Sequence, residues 1–223
     1  MPVSSELQSQ QRTTAPAVCG LIGALVFGVL PISHWLVHGD TIAEMLTREA
    51  IIWGFALAIL LWLTSVEHLP LSSIGFRRPT WKSVLFGFLA AIVITVIMTL
   101  QFAVVIPLLH LSQSAAVAQQ QAILKTPFWY RILLVLRAAV VEEILFRGYL
   151  IEKIRQLSGS TGLAVAVSVL AFTCAHLRGW GPVHLIPVAA FGLVLALLYV
   201  WRRDLPSNIL AHFLSDAVGF LAR

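Results

Sequence analysis

Apolar residues run along this chain in long blocks separated by short polar or Gly/Pro-containing stretches. The first block starts near Ala15 and reaches about Leu36. Others cover residues 50–66, 81–106, 128–157, 163–177, 183–201 and 205–223. About 20 predominantly apolar residues cross a bilayer as a helix. The pattern therefore predicts an all-α, polytopic transmembrane bundle of seven or eight spans. Residues 1–14 are rich in Ser, Gln and Thr and are expected to form a disordered tail. Residues 15–223 form a single transmembrane domain.

The breaks between blocks carry recognisable chemistry. Residues 38–49 read as a short, mildly acidic loop. Between the second and third blocks, Glu67 to Pro79 holds two prolines and a glycine, which end any helix. Thr126-Pro127 is a helix start, a capping hydroxyl followed by proline at the first helical position. The helix it opens is expected to reach Leu157, before Ser158-Gly159-Ser160-Thr161-Gly162. Residues 111–125 are polar and include Gln119-Gln120-Gln121, as an interfacial helix or a lid would.

Composition strengthens the membrane assignment. Of 223 residues, 59% are hydrophobic and 11% charged, and mean hydropathy is +0.90. A soluble domain carries about 25% charged residues. The first block exceeds the ~7–15 residues of a signal-peptide core, so it is expected to be a retained span. A net charge of +5 does not point to nucleic acid. Most arginines lie at the ends of apolar blocks, as the positive-inside rule places them. With the N-terminus in the cytoplasm, that side carries Arg12, Arg77, Arg78, Lys82, Lys153, Arg155, Arg202 and Arg203. Cys19 and Cys174 are far apart in apolar segments and offer neither a disulfide framework nor a thiolate metal site.

Chemistry enters at Val141-Glu142-Glu143-Ile144-Leu145-Phe146-Arg147-Gly148. A charge at the centre of a membrane helix costs roughly 2.5–3.5 kcal/mol on insertion scales. Glu143 and Arg147, four apart, share a helical face and can form an ion pair. Glu142 is turned about 100° away, so that arginine does not hold it. One carboxylate reads as structural and the other as available. The plainer alternative is a salt bridge that only fixes helix packing.

Further polar groups lie in later blocks. His176 sits deep in the fifth, four residues after Phe172. His212 and Asp216 stand one turn apart in the seventh. A lone histidine on an apolar face is more often a packing residue. Here Glu142, Glu143, His176, His212 and Asp216 come from three spans and all need partners, so they are expected to converge on one wet cavity. Charge bias places Lys153 and Arg155 on the cytoplasmic side, and the cavity is expected to open there. His212 lies only six residues after Pro206, about 9 Å along a helix, so the seventh helix must begin deeper than its neighbours.

Glu-Glu-x-x-x-Arg, then Phe-x-x-x-His, then His-x-x-x-Asn/Asp, in this order on successive helices, resembles the CPBP intramembrane proteases. That family includes the type II CAAX prenyl endopeptidase and proteins tied to bacteriocin immunity. The motifs stand here at 142–147, 172–176 and 212–216, and the resemblance covers about 128–220. It implies an intramembrane endopeptidase whose first glutamate, Glu142, activates water against a membrane-associated, CAAX-type substrate. Glu143 and Arg147 would orient that glutamate. His176 would position the water or polarise the scissile carbonyl. His212 and Asp216 would stabilise the oxyanion or bind a metal. Glu142, His176, His212 and Asp216 are oxygen and nitrogen donors of the kind catalytic zinc accepts. A divalent metal, zinc for preference, is therefore expected, narrowly ahead of metal-free Glu/His catalysis. Two other classes compete with the enzyme. One is a non-catalytic binding or immunity protein on the same fold. The other is a small transporter with a proton relay, for which no Gly/Pro-interrupted pair of spans in matching halves speaks.

Overall fold

A computed structural model describes residues 14–222, and the expected N-terminal tail lies, apart from Thr14, outside them. The described chain is a bundle of antiparallel helices joined by short turns, without a strand. Helix α1 runs over Thr14–Val29, α2 is the short turn Ile32–Leu36, and α3 is Ile42–Ser65. A 3₁₀ turn at Leu71–Ile74 leads to α4, Trp81–Leu100. This helix continues through a wider turn at Gln101–Val105 into α5, Ile106–Leu108. Helix α6, Ser114–Leu124, fills the polar stretch. Next come α7 (Phe128–Arg137), a wide segment at Ala138–Ile151, and α8 (Glu152–Ser158), one continuous rod. Helices α9 (Thr161–Trp180), α10 (Leu185–Arg202) and α11 (Leu205–Phe220) complete the bundle. Ile42–Ser65, Trp81–Leu108, Thr161–Trp180 and Leu185–Arg202 are each long and apolar enough to cross a membrane.

The seven predicted blocks thus reappear as seven rods, with three changes at their ends, the first being that the block expected to run to Leu36 stops at Val29 and resumes as α2 after Pro31. The loop expected at residues 38–49 is largely the start of α3. Thr41 caps Glu44 while Glu44 returns to the Thr41 backbone, a capping box that starts the helix before the apolar block begins. Helix α9 runs past Leu177 to Trp180, carrying Gly179 inside it, and ends at Gly181 with φ +78.

Loop and bundle interlock at the end bearing Lys153 and Arg203. Gly75, at φ +76, turns the chain so that its carbonyl accepts the Leu205 N–H at 2.9 Å. Leu205 and Ser207 are fully buried there. Helix α11 therefore starts inside the bundle, as the position of His212 requires. Lys153 and Tyr149 both bond Glu67, and Glu152 takes Tyr199 and Arg203. These ties fasten α8 to its neighbours and leave the other end of the rod for the site.

Candidate active site

In the Ala138–Ile151 segment the backbone winds in wide π-type turns, so residues five apart stack as well as residues four apart. Single-turn widenings often mark functional sites in helices, and here the widening extends over 14 residues. Glu143 meets Arg147 at 2.8 Å, the expected pair, with both side chains fully buried. The five-residue register gives Glu142 a partner the sequence reading missed. Arg137 Nη1 donates to Glu142 Oε1 at 3.1 Å. Arg147 leaves Glu142 alone, as expected, but Arg137 holds one of its oxygens. Its other oxygen, Oε2, is buried and accepts no hydrogen bond from the described residues.

His176 faces that oxygen. Its Nδ1 lies 2.8 Å from the Phe172 carbonyl. A carbonyl only accepts, so Nδ1 carries a proton, and in the neutral ring Nε2 offers a lone pair. Nε2 stands 3.9 Å from Glu142 Oε2. Both groups line a cavity of about 460 Å³, walled by Phe27, Leu30, Ile52 and Phe146 among others.

The remaining site residues form a second network behind this wall. Glu143 accepts from Arg147, from Asn208 Nδ2 at 3.1 Å and from His212 Nδ1 at 2.8 Å. His212 Nε2 is 3.5 Å from Asp216 Oδ2. Arg147 also donates to the Gly192 carbonyl at 3.3 Å, and its guanidinium lies 4.1 Å from the Phe172 ring centre. Phe172 separates the two networks, with ring centres 4.7 Å from His176 and 6.2 Å from His212. The single wet cavity expected for all five titratable groups is thus divided. Glu142 and His176 line the cavity. Glu143 and His212 lie buried behind it.

Residues 124–218 match the family model of the type II CAAX prenyl endopeptidase Rce1-like proteins. This stretch is similar to a type II CAAX prenyl endopeptidase domain. No curated protein and no solved structure gave a significant match to the chain.

The matched stretch spans α7 to α11, and so contains both networks. Helices α1 and α3, which precede it, supply the facing cavity wall through Phe27 to Val29, Ile52 and Phe55. His184, set apart from the motifs, stacks on Trp180 at 4.6 Å. Burial, aided by the nearby His176, pushes its imidazole down to about 4. The cavity also includes Leu30 to His34 and Arg178 to Trp180. These belong to the bundle end opposite Lys153 and Arg155, which overturns the expectation that the cavity opens beside those two residues.

As a metal centre the expected donors do not fit. Among the described residues no three His, Cys, Asp or Glu side chains are disposed to hold one ion. Glu142 and His176 face each other as a pair, while His212 turns one nitrogen to Glu143 and the other to Asp216.

Proposed function

We propose that this protein is an intramembrane endopeptidase in which Glu142 activates water against a peptide bond of a membrane-associated substrate. One observation carries the reading. Two acceptors, Glu142 Oε2 and His176 Nε2, face each other 3.9 Å apart on the wall of a cavity. Acceptors at that separation need a shared donor, and a water molecule can donate to both. Held by both protons, such a water turns its lone pairs toward a carbonyl carbon in the cavity. Glu142 takes one proton as oxygen attacks, then delivers it to the departing amine. His176 fixes the water and is itself fixed by Phe172. Glu143, Arg147, Asn208 and His212 hold the helix that presents Glu142.

The family match favours a prenylated CAAX-type substrate, and the apolar wall of Phe27, Leu30, Ile52 and Phe55 suits a lipidated or apolar peptide. No step is routed through a metal, because the donors pair with one another instead of converging.

The test uses purified protein with a farnesylated CAAX-type reporter peptide and with cell-membrane peptides profiled in its presence and absence. Glu142→Gln is expected to abolish cleavage and to keep the wild-type unfolding temperature. Exhaustive chelation is expected to leave cleavage intact. Wild-type turnover in Glu142→Gln sinks the assignment. Activity lost on chelation and regained with zinc restores the metal mechanism.

A further inference from the structure

Arg137 is a charge set within the rod from α7 to α8, and water activation as described makes no use of it. Its side chain is 17% exposed. Nε donates to Glu49 Oε2 at 3.1 Å, and Nη1 donates to Glu142 Oε1 at 3.1 Å. Glu49 belongs to α3, and its other oxygen accepts from the Tyr130 hydroxyl at 3.2 Å. Tyr130, Glu49, Arg137 and Glu142 thus form a chain that ends on the proposed base. A guanidinium suits this place because its planar fork fixes two acceptors in one geometry.

The arrangement has two consequences for Glu142. With Oε1 held, rotation about its terminal bond is restricted and Oε2 stays turned to His176. Arg137 is also shared between two carboxylates and meets Glu142 through Oε1 alone, leaving Oε2 to the cavity. A tie meant only to pack α7 against α3 would be complete with Arg137 and Glu49 alone.

We propose that Arg137, anchored to α3 through Glu49, is a positioning residue that aims Glu142 at the water. It acts through Glu142 and touches no reacting atom. This rests on reading Glu142 as the base. It also gives α3, which lies outside the Rce1-like match, a part in the reaction.

The experiment compares Arg137→Leu, Arg137→Lys, Glu49→Gln and Glu142→Gln in purified full-length protein. Turnover is read on the farnesylated reporter peptide. The Glu142 carboxylate stretch is read by infrared difference against Glu142→Gln, which needs no substrate. Arg137→Leu is expected to lower kcat about 100-fold, the scale of a misplaced catalytic group, with KM within about twofold. The Glu142 band should shift. Arg137→Lys, or millimolar guanidinium added to Arg137→Leu, should restore part of the rate. Glu49→Gln should show a smaller loss and a smaller shift. A Glu142 band unmoved in Arg137→Leu overturns the proposal, whether or not that variant keeps its stability. So does full turnover in Arg137→Leu and Glu49→Gln, or a loss that neither lysine nor guanidinium relieves. Should Glu142→Gln cleave normally, the base assignment itself fails, and the band comparison still reports whether Arg137 holds that carboxylate.

Discussion

Glu143 is the most heavily engaged side chain in the site, held by a guanidinium, an amide and an imidazole, all buried. Removing one partner of a buried ion pair strands the other charge, at roughly 3–5 kcal/mol. Arg147→Ala is therefore expected to lower the unfolding temperature in detergent markedly, while Glu142→Gln leaves it unchanged. An unaltered melt for Arg147→Ala would mean the pair is not buried. At this scale the sequence was partly legible. Glu143–Arg147 and His212–Asp216 follow from a four-residue register, and Asn208, four before His212, was open to the same reasoning. Arg137 was hidden, because ordinary helical geometry does not stack residues five apart. The one signal it gave was a positive charge inside an apolar block, the argument already applied to Glu142.

Among elements, the rod from α7 to α8 depends on close approach at Gly148. A Cβ there would stand 3.0 Å from the Ile74 carbonyl and 3.0 Å from Leu205 Cδ1. Gly148→Val must push the 3₁₀ turn and the start of α11 away, costing about 1–3 kcal/mol. Gly162→Ala, a helical position with open space around it, is expected to be neutral or stabilising by up to about 1 kcal/mol. Detergent unfolding of the two variants checks both, and equal stabilities would show the 3₁₀ contact to be loose. The order of the helical rods was readable because long hydrophobic blocks leave few alternatives, but among the described residues four helices, not seven or eight, are both long and apolar enough to cross a membrane. Helix ends were less so. Thr41 and Glu44 start α3 through local capping, which a hydropathy block does not register. The wide turns of Ala138–Ile151 arise from packing on several helices at once, and no local motif specifies them.

For the whole molecule, we propose an N-terminus on the cytoplasmic side of a cell membrane, from the arginines at 77, 78, 202 and 203. The cavity then opens on the opposite face. In a background with Cys19→Ser and Cys174→Ser, an impermeant thiol reagent should label Arg178→Cys from outside and Arg78→Cys only after the membrane is opened. The reverse pattern would invert the protein and place the cavity mouth in the cytoplasm. Whichever way it sits, the lower half of the rod is sealed by Tyr149, Leu150, Ile151 and Lys153, packed with Leu63 and Tyr199. Such packing is expected to insulate that half of the bundle, so a proton taken up at the site is expected to return to the compartment it came from. The membrane can carry a hydrated carboxylate within its thickness and still hold its voltage.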